Sequence, residues 1–176
     1  MAELKEGDPA PEFTLPASNR KQVALKDFLG KQRVVLYFYP KDDTPGCTVE
    51  ACGFRDKNKA IQAKGAVVLG VSPDGVESHN RFIEKFKLPF LLLADEQKQV
   101  CQAYGVWVKK NMYGKVYMGV ERTTVIIGKN GKIEKIFRKV KPDGHPEEIL
   151  EAIGAKPVAA VKGNRTTGPG LVAANA

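Results

Sequence analysis

Apolar residues along this chain fall into two rhythms, unbroken runs and helical spacings, and their order predicts the fold. Val34-Val-Leu-Tyr-Phe-Tyr39 is a continuous β-branched, aromatic and aliphatic run stopped by Pro40, the pattern of a strand buried on both faces. Cys47 to Lys64 reads as a helix closed by Gly65, a residue suited to the left-handed turn that ends helices. Ala66-Val-Val-Leu-Gly-Val71 is a second buried run, so the three segments form a β-α-β unit with a right-handed parallel crossover. Val76 to Phe86 places Val76, Ile83 and Phe86 on a helix face, and Phe90-Leu-Leu-Leu93 reads as a short strand. A short helix around Gln97 to Tyr104 follows, with Asp95 as its N-cap.

The pattern then changes. Arg122-Thr-Thr-Val-Ile-Ile127 and Lys132-Ile-Glu-Lys-Ile-Phe137 flank Asn130-Gly131, the strongest hairpin signal in the chain. Pro146 to Ile153 is the last predicted helix, with proline in its first turn. A parallel β-α-β unit joined to an antiparallel β-β-α unit predicts an α/β chain of thioredoxin-like fold, with a central mixed β-sheet flanked by helices. The expected division is one domain over 1–154 and a disordered tail over 155–176, where little is left to bury.

Composition narrows the function classes. A length of 176 residues with 43% hydrophobic content suits one domain with a real core. No stretch approaches the ~20 apolar residues of a membrane span, and the first residues carry acids without an apolar signal-peptide core, so a soluble cytoplasmic protein is expected. Three cysteines do not make a disulfide framework, so any disulfide here is expected to be transient and chemical. The net charge of +8 includes Lys156, Lys162 and Arg165 of the tail, and the remaining charges of both signs are interspersed without a run of five like charges. That is a solvated basic surface, and no nucleic-acid partner is expected.

Candidate chemistry concentrates at Cys47. A strand, Pro40, a short turn and then a cysteine in the first helical turn put a thiol where backbone N–H groups are unpaired and the helix dipole is positive. Such positions favour thiolate, the nucleophilic form. Thr44 can offer its hydroxyl to the sulfur or to an oxygen of a bound substrate, and it can also serve as a helix cap. Cys52, five residues on, would lie with its Cα about 8.6 Å away on a continuous helix. That exceeds the ~7 Å reach of an unstrained disulfide. Bonding of Cys47 to Cys52 would require local unwinding, and Gly46 and Gly53 lie where it would be accommodated.

The segment Tyr37-Phe-Tyr-Pro-Lys-Asp-Asp-Thr-Pro-Gly-Cys-Thr-Val-Glu-Ala-Cys-Gly-Phe-Arg-Asp56 resembles the active-site segment of Q-type peroxiredoxins, the bacterioferritin comigratory protein subfamily. The family's Pro-x-x-x-Thr-x-x-Cys pattern falls on Pro40, Thr44 and Cys47, and its resolving cysteine on Cys52. Gly119-Val-Glu-Arg-Thr-Thr124 is similar to the family's arginine segment and Lys141-Pro-Asp-Gly-His145 to a later one, so the likeness runs from about Leu4 to Ile153.

The resemblance implies a thiol peroxidase that reduces hydrogen peroxide and organic hydroperoxides. Cys47 would be the peroxidatic nucleophile, Cys52 the resolving thiol, Arg122 the guanidinium that holds the thiolate and the departing oxygen, and Pro40 a shield for the sulfur. It also implies recycling by thioredoxin or a similar dithiol reductant, a monomer, and no metal or organic cofactor. Taken alone, Arg122 at the head of a core strand fits a surface ion pair with Glu121 or Glu50 as well. A thiol–disulfide oxidoreductase would want Cys-x-x-Cys, where this chain has four intervening residues. Cys101 reads as a buried inert thiol, and His79 and His145 are too separated to complete a zinc site. Trp107, Tyr113 and Tyr117 fit either packing or a contact surface.

Overall fold

The computed structural model describes residues 3–154. The expected disordered tail, 155–176, lies outside the described residues. Along the chain run β1 (Thr14–Pro16), β2 (Gln22–Ala24), a 3-10 turn (Leu25–Asp27), β3 (Arg33–Phe38), α1 (Pro45–Ala63), β4 (Ala66–Ser72) and α2 (Val76–Phe86). Then follow β5 (Leu91–Ala94), α3 (Gln99–Ala103), β6 (Trp107–Met112), β7 (Lys115–Val120), β8 (Thr123–Ile127), β9 (Ile133–Phe137) and α4 (His145–Gly154).

Five strands form the central sheet in the order β5-β4-β3-β8-β9. β3, β4 and β5 are parallel, with Leu36 opposite Leu69, while β8 runs antiparallel to β3, with Tyr37 opposite Thr124. This is the mixed sheet that the sequence pattern predicts. Because β3 is buried on both sides, alternate residues feed two cores. Val35, Tyr37, Val68 and Leu92 face Phe54 and Ile61 of α1, Phe82 of α2 and Ile149 of α4. Val34, Leu36, Phe38 and Val71 face Phe13, Leu25, Val100 and Tyr104 on the other side. Phe54 and Ile61 are fully buried, and burial of each side chain is worth about 1.5–3 kcal/mol.

Several boundaries move. α1 starts at Pro45, which suits the first helical position, where no N–H is required. Gly65 follows the helix with φ +78, as its place in the sequence implies. α3 is only five residues long and its N-cap is Lys98. Asp95 caps from further back, accepting from the N–H groups of Val100 at 3.3 Å and Cys101 at 2.7 Å. α2 has the expected span, and Ile83 and Phe86 of its apolar face pack against the core, but its fully buried residues are His79 and Phe82. The β6–β7 pair has no counterpart in the sequence reading, and on it Tyr113 is 99% exposed instead of packed.

Candidate active site

Where β3 ends, the Tyr39 N–H still donates to Val71 O at 3.0 Å, and the chain turns away at Pro40. The following loop is held by Asp42, a buried carboxylate. Its oxygens accept from Tyr39 Oη at 2.6 Å and Ser78 Oγ at 2.7 Å and lie 2.7 Å from His79 Nδ1. The Asp42 N–H donates to Asp74 Oδ2 at 2.7 Å. These bonds fix the entry to α1 against α2. Thr44 is the N-cap in extended conformation, without a side-chain cap bond, and its hydroxyl donates to Lys41 O at 3.0 Å.

Cys47, third residue of α1, is 1% exposed. Arg122 immediately precedes β8, and the pairing of Phe38 with Thr123 sets it beside the end of β3. One guanidinium arm, Nη2, reaches to 3.4 Å from Cys47 Sγ, while Nη1 donates to Glu50 Oε1 at 2.7 Å. A Cβ on Gly46 would stand 3.2 Å from Arg122 Nη2, so glycine there gives the guanidinium its room. Burial works against the Arg122 charge, but Glu50 and Cys47 together hold its pKa above the ordinary value.

Glu50 is fully buried, and its second oxygen has no hydrogen-bond partner among the described residues. Burial therefore pushes its carboxyl up to about 7, against the pull of Arg122. Burial likewise holds the Tyr37 hydroxyl well above its ordinary value, with Glu50 and Cys47 adding to it. Cys52 is half-buried and unbonded, on a helix that runs without a break from Pro45 to Ala63. An added Cβ on Gly53 would be 2.6 Å from Pro146 Cγ, so α4 sits directly on the helix next to Cys52.

The expected residues are thus brought together unevenly. Cys47, Gly46 and Arg122 meet, Thr44 and Pro40 lie on the same loop, and Cys52 is one and a half turns along α1. The ion pair of Arg122 with Glu50 exists as well, but it is buried rather than on the surface. Cys101 is fully buried. His145 lies between Thr124 Oγ1 and Glu148 Oε1, each at 2.8 Å, and burial lowers its pKa. Glu50 enters the sequence reading only as a surface partner for Arg122, and the Asp42–His79 pair is absent from it. The available signal was a charged side chain in helical register with buried neighbours, Cys47, Ala51 and Phe54.

The AhpC/TSA family model matches residues 6–136. The chain belongs to this family. The putative peroxiredoxin bcp of Coxiella burnetii is 51% identical over 147 residues, covering 84% of this chain and 97% of that one. Peroxiredoxin Bcp of Escherichia coli K12 is 49% identical over 150 residues, covering 85% and 96%. Among solved structures, the bacterioferritin comigratory protein of Xanthomonas campestris superposes with a TM-score of 0.77 at 38% identity, covering 81% of this chain and 90% of that one. The chain is therefore a peroxiredoxin of the Bcp type, a thiol peroxidase on a thioredoxin-like fold, as the resemblance implies. No helix among the described residues is long and apolar enough to cross a membrane.

Proposed function

We propose that Cys47 is the nucleophile of this peroxidase and Cys52 its resolving thiol. The observation that carries the reading is the Arg122 guanidinium, shared between Cys47 Sγ at 3.4 Å and Glu50 at 2.7 Å. A guanidinium in that position attracts negative charge on sulfur and on the oxygen that departs as the O–O bond breaks. Thr44, with its proton on Lys41 O, keeps acceptor lone pairs for the hydroperoxide O–H. Pro40 limits water at the sulfur.

Cys47 becomes a sulfenic acid, the first turns of α1 unwind, and Cys52 condenses with it to a disulfide that a thioredoxin-type dithiol reduces. Unwinding is required because five helical residues separate the Cα atoms by about 8.6 Å, too far for a disulfide. Organic hydroperoxides join hydrogen peroxide as substrates, since the similar Xanthomonas campestris protein has an alkyl peroxide reduction activity. The protein acts as a cytoplasmic monomer.

The test is peroxide consumption with a thioredoxin system in wild type, Cys47→Ser and Cys52→Ser, with thiol mapping by mass. Loss of turnover in Cys47→Ser and a Cys47–Cys52 disulfide in oxidised wild type are expected. Full activity in Cys47→Ser would overturn the nucleophile, and a Cys47–Cys101 or interchain disulfide would overturn the resolving partner.

A further inference from the structure

The β6–β7 hairpin is closed at its base by the Glu121 N–H donating to Val106 O at 2.7 Å, one residue before Arg122. In its register Val108 pairs with Gly119 and Lys110 with Tyr117, so these four share one face. A Cβ on Gly119 would lie 3.3 Å from Lys110 Cδ and 3.6 Å from its Cε. The lysine stem therefore runs across Gly119 toward the hairpin base and Arg122, not toward the tip. Lys110 is half-buried and forms no ion pair among the described residues. Its ammonium is pushed below the ordinary lysine value by burial first and by Arg122 second, with Glu121 and Cys47 opposing. Lys110 thus stands on the face of the hairpin that leads to Arg122 and Glu121, with the Cys47 sulfur within electrostatic reach.

We propose that Lys110 is the general acid of the peroxidation step, giving its proton to the oxygen that leaves. The proposal rests on Cys47 being the nucleophile. The thiolate attacks the terminal peroxide oxygen, an S–O bond forms and the O–O bond breaks. Sulfur loses two electrons to become the sulfenic acid, and the peroxide gains them. The remaining oxygen departs as RO⁻ and takes a proton from Lys110 Nζ, which water later restores.

Other groups around the sulfur are poorly suited to that transfer. Arg122 cannot release a proton and is committed to Cys47 and Glu50. Glu50 is fully buried on Arg122, and burial keeps the Tyr37 proton in place. A half-exposed ammonium made more acidic by its surroundings comes closer to working pH, where an acid catalyst is most effective.

The test uses reduced enzyme in single turnover, with tert-butyl hydroperoxide and with peracetic acid. The first expels an alkoxide that needs a proton, and the second expels acetate, which does not. Lys110→Met should slow oxidation of Cys47 by tert-butyl hydroperoxide about a hundredfold and leave the peracid rate near that of wild type. Lys110→Arg keeps the charge without a transferable proton and should be as slow as Lys110→Met. Equal losses with both peroxides, no loss with either, or full recovery in Lys110→Arg would each overturn the proposal. Peroxide consumption by Cys47→Ser would instead refute the reading on which it rests.

Discussion

Replacing Glu50 by glutamine tests the electrostatics of the site through stability. The wild-type carboxyl is raised from 4.5 to about 7 by burial, with Arg122 opposing. The folded protein therefore holds this proton more tightly than the unfolded chain. Its contribution is complete below pH 4.5 and is lost as pH rises through about 7. The full change is worth about 3 kcal/mol, and about 2.5 kcal/mol of it falls between roughly pH 5 and 8. Glutamine has the same shape, keeps an acceptor for Arg122 Nη1 and does not titrate. Urea unfolding of the reduced protein across that range should show the variant gaining on wild type by about 2–3 kcal/mol as pH rises. All other titratable groups are present in both proteins, so their contributions cancel. Parallel stability curves for the two proteins would refute the reasoning.

Gly53→Ala sets two effects against each other. A helix interior favours alanine by ~1 kcal/mol, but the added Cβ would be 2.6 Å from Pro146 Cγ. Overpacking of that kind costs about 1–3 kcal/mol, so thermal unfolding should come earlier than in wild type. Asp42→Ala would strip Tyr39, Ser78 and His79 of their shared acceptor. Each buried donor left without an acceptor costs about 1–3 kcal/mol, which denaturant titration reads directly. Burial, with Asp95 adding to it, pushes the Cys101 thiol far up. Iodoacetamide at neutral pH should therefore leave Cys101 unlabelled until the protein is unfolded, as peptide masses will show.

How much the sequence reveals depends on how much each segment buries. β3 and β4 are hydrophobic without interruption because both faces are covered, and β8 and β9 turn through Asn130-Gly131, with Gly131 at φ +81. Those signals are local and strong. β6 and β7 escape because their outer residues, Met112, Val116, Tyr117 and Met118, face solvent, so no buried alternation marks them. Their turn is Tyr113-Gly114, both at positive φ, in place of an asparagine. β1 and β2 are three residues each, too short for any periodicity.

At the site, the motif makes Pro40, Thr44, Cys47, Cys52 and Arg122 visible as a resemblance. What stays hidden is tertiary. The sequence offers Glu50 to Arg122 only as a surface pair, since nothing near it says that the pair will be buried, and nothing near Asp42 says that His79 will be turned inward onto it.

Pro146, seated on Gly53, has a consequence for how far α1 can fray. Up to Cys52 the helix buries Cys47, Glu50 and Ala51, none of them a large apolar side chain, whereas beyond Gly53 it carries Phe54, Asn58 and Ile61 into the interior and has α4 pressed against it. A melt begun at Pro45 meets this bolster after about two turns. On the proposed Cys47–Cys52 cycle, the front end of α1 would open and reclose while the hydrophobic interior stays shut, and among the described residues a protease offered the oxidised form would gain new cleavable peptides between Lys41 and Gly53.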